Sequence, residues 1–259
     1  MTAVCPFNRR DEIQVWSITL AVSPSTLSYC VSLLSDDERE KARKYRYSRD
    51  SRRFIAGRAA LRFLLGSYFN WAPQKVGFCR SAEGRLSLSF GPTSAVSDFN
   101  LSHSADEMIV VISSLRRVGV DIERVDAGRC AEQEWASVLS PAEMYWCADA
   151  SHGERVRKYL TLWTRKEALL KADGRGLQVD PLCLDVTETV QTATPFFYSC
   201  PSLSPSQWTL WDLPLGGRLV GSLASEGWSR VPKISYFSLP ADFVLTPPSF
   251  GAPMGVGAH

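Results

Sequence analysis

The 259-residue sequence predicts an α/β (α+β) fold of two similar halves, each a long helix packed on a small, mostly antiparallel sheet. Three observations lead there. A long stretch of helix formers followed by short apolar strands occurs in the first hundred residues and again after residue 140. A hydrophobic content of 45% is enough for one large core or two small ones. No run of about 18 apolar residues is present, so no membrane span is expected. Two subdomains of about 110 residues each suit the usual domain size. We place them at 1–113 and 114–240 in a pseudo-twofold arrangement, with a flexible tail over 241–259.

Residues Glu12 to Val22 alternate as a strand does, with Ile13, Val15, Ile18 and Leu20 apolar. Ser23-Pro24-Ser25 breaks the strand, and a short helix follows to Leu34. Ser35-Asp36-Asp37-Glu38 reads as a second helix start, with Ser35 as N-cap and Glu38 in the capping-box position. A long helix is expected from about Asp50 to Phe69, burying Phe54, Ile55, Ala59, Leu61, Phe63, Leu64 and Leu65. The turn Glu83-Gly84-Arg85 leads into a strand to Phe90. Strands to His103, from Met108 to Ser113 and from Val118 to Glu123 follow, with a turn at Arg116-Arg117. After Ala127-Gly128 a helical segment is expected to Leu139, then a helix from Pro141 to Ala150 capped by Ser140. A long helix from Arg155 to Asp173 stops at Gly174 or Gly176. Strands are expected at Cys183–Val190, Trp208–Asp212, Arg218–Ala224 and Lys233–Ser238. The proline- and glycine-rich stretch after Thr246 is expected to be mobile.

Net charge is +2 and the pI about 8.2, so the overall balance does not mark a nucleic-acid binder. The seven cysteines are scattered and form no CxxC pair, which points to reduced thiols and not to a zinc site or disulfide frame. The first ten residues lack the apolar run of a signal peptide, so a cytoplasmic location is expected.

Three segments, and the isolated His103, carry chemistry. The first is the basic run Arg39, Lys41, Arg43, Lys44, Arg46, Arg49, Arg52 and Arg53. It can be a solvated helix face, a nucleic-acid contact helped by Tyr45, Tyr47 and Phe54, or a pocket for a small polyanion. The second is Asp121 and Glu123, which share a strand face because side chains two apart point the same way. Two neighbouring carboxylates repel, and each raises the other's pKa, unless a cation sits between them; Mg²⁺ favours such hard oxygens. A strand end reaching solvent is the plainer reading of that pair alone. The third is Trp163, Glu167 and Lys171, one turn apart on a single helix face. Its plainer reading is an exposed Glu-Lys pair beside a core tryptophan. His103, flanked by Ser102 and Ser104 at a strand end, is either a structural histidine or an anion contact.

The order and spacing of Asn100-Leu101-Ser102-His103-Ser104, Val118-Gly119-Val120-Asp121-Ile122-Glu123 and Trp163-x-x-Lys166-Glu167-Ala168-x-x-Lys171 resemble the 4′-phosphopantetheinyl transferases of the surfactin-synthetase-activating (Sfp) type. Glu40 to Tyr45, Arg53 to Arg58 and Glu83-Gly84-Arg85 extend the resemblance over about residues 12 to 237. It implies two α/β halves in one monomeric chain. It implies an enzyme that moves the phosphopantetheine arm of coenzyme A to a serine of an apo acyl or peptidyl carrier protein, releasing adenosine 3′,5′-bisphosphate. By the same resemblance Asp121, Glu123 and Glu167 bind Mg²⁺ with the pyrophosphate, and Lys171 and His103 contact phosphates. Arg53, Arg85, Ser102 and His103 surround the nucleotide, with Lys41 or Arg43 adding charge. Glu38 departs from the pattern, since some relatives carry lysine there. Glu167, directly or through a metal-bound water, is the candidate base, with Lys171 as candidate acid at the leaving oxygen. Carrier proteins are commonly acidic, so an exposed part of the basic run is expected to steer them. Neither nucleic acid nor membrane is expected as a partner. A different Mg²⁺-dependent phosphohydrolase would use the same acids without a protein acceptor.

Overall fold

Alternation along β1 (Glu12–Thr19) divides its apolar side chains between two cores: Trp16 and Ile18 enter one, Ile13 and Val15 another. That division organises the molecule. The computed structural model describes residues 11–93, 95–126, 132–148, 150–187, 195–227 and 230–242. Most of the expected 241–259 tail therefore lies outside the described residues.

After β1, Ser23 caps α1 (Pro24–Leu33), with a proline at its first turn. Helix α2 (Asp36–Arg43) starts on the expected capping box: Glu38 N–H donates to Ser35 Oγ, and Ser35 N–H to Glu38 Oε2. Helix α3 (Ser48–Phe69) ends at Asn70 in the left-handed region. A small hairpin, β2 (Phe78–Arg80) and β3 (Leu86–Leu88), turns through Gly84, whose φ of 87° favours glycine. Strands β4 (Asp98–Ser104) and β5 (Glu107–Ser113) form an antiparallel pair, and β6 (Val118–Arg124) begins the second half. Then come α4 (Pro141–Ala148), α5 (His152–Asp173), β7 (Phe196–Ser199), β8 (Gln207–Asp212), β9 (Leu219–Glu226) and β10 (Lys233–Leu239).

Two four-stranded sheets result, ordered β10-β1-β5-β4 and β6-β9-β8-β7. All pairings in them are antiparallel except β1 with β10, where the chain returns from the second half to the first sheet. Helix α3 covers the outer face of the first sheet through Ala56, Ala59, Leu61, Leu64 and Leu65. Helix α5 covers the second through Leu160, Ala168, Leu169 and Ala172. The inner faces meet each other: Ile13, Val15, Ile109 and Val111 pack on Val118, Val120, Ile122, Trp211 and Leu223. The order helix, sheet, sheet, helix is the two-half α/β arrangement the sequence predicts.

Three expectations need correction. The segment before Leu139 is a short 3-10 turn, Glu132–Ser137, where it is described. The expected strand Cys183–Val190 is not one: Pro181–Cys183 is a 3-10 turn capped by Asp180, and 184–187 is irregular. Leu184 and Val186 are buried there, but the Val186 N–H donates to Glu143 Oε1 and joins no ladder. Residues 188–190 lie outside the described set. Trp163, expected in the core, is half-buried and joins none of the three clusters, while Glu167 and Lys171 on the same stripe line the cleft. Among the described residues, no helix is long and apolar enough to cross a membrane, and Cys30, Cys79, Cys147, Cys183 and Cys200 are free thiols.

Candidate active site

The two sheets meet edge to edge at β4 and β6, and no backbone ladder joins these strands among the described residues. Side chains of β4 take its place. Asp98 Oδ2 accepts from Val118 N–H at 2.9 Å, Asn100 Oδ1 from Val120 N–H at 3.1 Å, and Ser104 Oγ from Arg124 N–H at 3.0 Å. The same row reaches the acids of β6. Ser102 Oγ donates to Asp121 Oδ1 at 2.7 Å, and Ser104 Oγ to Glu123 Oε2 at 3.0 Å. The strand period of two puts 98, 100, 102 and 104 in one row and 119, 121 and 123 in another.

Gly119 brings α5 to this seam. A Cβ at that position would lie 2.1 Å from the Ala168 carbonyl oxygen and 2.5 Å from the Ala172 nitrogen. Only glycine permits so close an approach. Lys171, beside Ala172, then extends over β6. Its ammonium donates to Asp121 Oδ1 at 2.6 Å and, at 3.3 Å each, to Ser102 Oγ and the Val120 carbonyl. Its neighbour by motif, Lys166, points the other way. It is wholly buried and paired with Glu143 at 2.6 Å, with the Val138 and Pro181 carbonyls as further acceptors. So the consecutive Lys166-Glu167 pair splits: the lysine anchors α5, and the glutamate faces the cleft.

Asp121 is 5% exposed, and its second oxygen, Oδ2, is buried with no hydrogen-bond partner among the described residues. Glu167, with Lys171, Arg85, Asn100 and Leu101, lines a cleft of about 660 Å³. Burial pushes the Glu167 carboxyl above the usual carboxylate range; Lys171 opposes this, while Asp121 and Glu123 reinforce it. Burial likewise raises Glu123, helped by Asp121. The three acids thus feel one another across the seam. Among the described residues no three His, Cys, Asp or Glu side chains stand assembled around a metal position, and the Lys171 ammonium holds Asp121 Oδ1. Hard carboxylate oxygens, one of them buried and unspent, are nonetheless a donor set that suits Mg²⁺.

The other end of the site is cationic. A cavity of about 540 Å³ is lined by Lys41, Arg53, Arg58, Arg80, Phe54 and His103, among others. Arg58 and Arg80 also line the 660 Å³ cleft, so the two spaces meet there. The Arg58 side chain is 9% exposed, and its Nη1 is buried without a partner. Burial lowers Arg58 to about 10, only partly offset by Glu38, and Arg80 and Arg62 lower it further. Lys41 is depressed by burial and then by Arg80 and Arg58. His103 is depressed by burial, Lys171 and Arg53, which keeps it neutral near pH 7. Arg53 is paired with Asp106 at 2.7 Å. Arg43 is exposed and lines a separate small cavity beside Arg39 and Ser51. Arg85 reaches protein acceptors: Asp98, the Val118 and Phe99 carbonyls, and the Lys171 carbonyl.

Sequence reasoning thus brought Lys41, Arg53, Ser102, His103, Asp121, Glu123, Glu167 and Lys171 to the site region, and it missed Arg58, Arg80 and Asn100. The polar alternation Asp98-x-Asn100-x-Ser102-x-Ser104 was the available signal for Asn100. Nothing in the sequence marks the lone Arg80.

Comparison with known proteins decides the family. A family model described as "4'-phosphopantetheinyl transferase superfamily" matches residues 117–224, and one described as "4'-phosphopantetheinyl transferase, N-terminal" matches residues 20–116. The chain belongs to the 4′-phosphopantetheinyl transferase superfamily. Among its relatives is the 4′-phosphopantetheinyl transferase HetI of Nostoc sp., 28% identical over 230 residues, 88% of this chain and 93% of that protein. The L-aminoadipate-semialdehyde dehydrogenase-phosphopantetheinyl transferase of Schizosaccharomyces pombe is 30% identical over 60% of this chain. Sfp of Bacillus subtilis is 25% identical over 58% of it. The last two matches each span 64% of the relative's length. A phosphopantetheinyl transferase is therefore at hand, with coenzyme A as substrate and carrier proteins as partners.

Proposed function

We propose that this chain is an Mg²⁺-dependent transferase of the Sfp type, which loads the phosphopantetheine arm of coenzyme A onto a serine of acidic apo acyl or peptidyl carrier proteins in polyketide or nonribosomal peptide synthesis. We read it as a cytoplasmic monomer with lobes at 1–113 and 114–240, the last strand of the second stretch, β10, completing the sheet of the first. The observation that carries the reading is the state of Asp121: one oxygen held by Ser102 and Lys171, the other buried and unspent beside Glu123 and Glu167.

Asp121, Glu123 and Glu167 would hold the Mg²⁺. When bound, that ion neutralises the pyrophosphate and draws charge from the departing bisphosphate. The rest falls to the chain's own groups. The carrier serine Oγ attacks the phosphorus bearing the pantetheine arm, and the bond from that phosphorus to the bridging oxygen breaks. Glu167, facing the cleft one turn from Lys171, takes the serine proton, directly or through a water. The Lys171 ammonium, fixed over β6, protonates or shields the departing oxygen. Lys41, Arg53, Arg58, Arg80, Ser102 and His103 surround the nucleotide phosphates, where an anion would relieve the mutual depression of the cations. Arg43, exposed and away from the cleft, suits steering of an acidic carrier instead.

The test is intact mass. An apo carrier incubated with this protein, coenzyme A and Mg²⁺ is expected to gain one phosphopantetheine. Consumption of coenzyme A with no mass gain on several unrelated carriers would contradict the reading and point to a phosphohydrolase.

A further inference from the structure

Arg85 sits at the last residue of the β2–β3 turn, where a basic side chain would be expected to meet the nucleotide. Its guanidinium is spent elsewhere. Nη2 donates to Asp98 Oδ2 at 2.6 Å, to the Val118 carbonyl at 3.0 Å and to the Phe99 carbonyl at 3.5 Å, and Nη1 donates to the Lys171 carbonyl. Asp98 Oδ2 in turn accepts from Val118 N–H at 2.9 Å. One side chain therefore ties four segments together: the hairpin turn, the start of β4, the start of β6 and the last turn of α5. Arg85 and Asp98 are both largely shielded, with 17% and 18% of their side chains exposed. The carbonyl that Nη1 holds belongs to Lys171, whose ammonium rests on Asp121. The guanidinium also lies where α5 exposes its last carbonyls, the end that favours a cation.

The geometry points to Arg85 as a positioning residue, acting with Asp98 to hold the end of α5 against β6 so that Lys171 and Glu167 face Asp121. The inference rests on the reading of those three residues as the reacting site. A nucleotide contact needs only positive charge at position 85. A clip needs the planar fork, because a lysine ammonium cannot meet acceptors spread over four segments. Small errors in placing reacting groups cost turnover more than they cost binding.

Arg85→Lys keeps the charge and loses the fork. Asp98→Asn keeps the acceptor for Val118 N–H, weakens the partner of Arg85, and removes no positive charge. We expect each variant to lower kcat about tenfold while the KM for coenzyme A stays within about threefold, and the double variant to be no worse than either alone. A kcat at the wild-type level in folded Arg85→Lys, or in Asp98→Asn, would overturn the clip. So would losses that multiply in the double variant. A second readout does not depend on transfer. In the protein without ligand, Arg85→Lys is expected to speed amide exchange over the last turn of α5 and the first residues of β6. Unchanged exchange there would also overturn it. If the wild-type chain transfers nothing to a carrier, the functional reading fails, and the exchange measurement still judges the clip.

Discussion

The two ends of the cleft hold opposite charge, and they are built by different means. The cationic end draws on long side chains from three separate elements: Lys41 of α2, Arg53 and Arg58 of α3, and Arg80 of β2. Each reaches the cavity through several rotatable bonds. The acidic end draws on short side chains whose direction the backbone dictates. Asp121 and Glu123 face the seam because β6 pairs with β9 in a register that sets Asp121 opposite Ser222. A slip of one residue would turn both toward the inner core. Serine hydroxyls and Lys171 then fix them further. Losses at the acidic end should therefore be abrupt and fall on turnover and on the Mg²⁺-dependent share of coenzyme A binding, whereas losses at the basic end should be graded and fall on binding alone.

The largest expected effect is that of Asp121→Ala. It removes the buried oxygens and strands the Lys171 ammonium, and transfer measured by carrier mass should fall by about a thousandfold or more. Full turnover in that variant would erase the proposed contrast between the two ends. Next comes Glu167→Gln, expected to cut kcat about a hundredfold with little change in the KM for coenzyme A. The pH profile sharpens this expectation. In the wild type, turnover should fall as pH drops through the Glu167 pKa, because the base becomes protonated. That acid limb should vanish in the variant; a limb that persists assigns it to another group.

Gly119→Ala probes the backbone origin of the acidic end. The added methyl would meet the Ala168 carbonyl oxygen at 2.1 Å, so α5 must move off β6. We expect about 1–3 kcal/mol lost in denaturant unfolding, together with reduced turnover. Unchanged stability would show that the helix has room it does not display. The smallest expected effect is that of Arg58→Met. It should raise the KM for coenzyme A about tenfold, leave kcat nearly intact, and flatten the salt dependence of binding. A kcat loss equal to that of Glu167→Gln would make the two ends alike.

The same contrast explains what the sequence disclosed. The acidic end was legible because its determinants are local: the period of β6 and the one-turn spacing of Glu167 and Lys171 on α5. So were the capping box at Ser35 and the apolar face of α3. The basic end was legible only in part. Arg39 to Arg53 form an obvious run, yet Arg43 points away, and the cavity is completed by Arg58 and an isolated Arg80 that only the fold brings together. The motif alone did not tell Lys166 from Glu167: the lysine is a wholly enclosed anchor for α5. Asn100, Ser102 and Ser104 stood in the motif, but their bonding to β6 was not legible, because a bond to the edge of a distant strand leaves no periodicity beyond that of β4 itself. The mistaken strand after Cys183 shows the converse. Apolar residues can be buried singly, with their amides spent on a side chain such as Glu143, and no sheet forms.

The central claim is that the carboxylates of β6 and α5 take up a divalent ion together with the diphosphate of coenzyme A. Calorimetric titration of coenzyme A, with and without Mg²⁺, tests it most directly. The wild-type chain should bind coenzyme A at least about tenfold more tightly with Mg²⁺, and Asp121→Asn should lose that gain while remaining folded. Equal affinity with and without Mg²⁺ in the wild type, or an undiminished gain in Asp121→Asn, would contradict the claim.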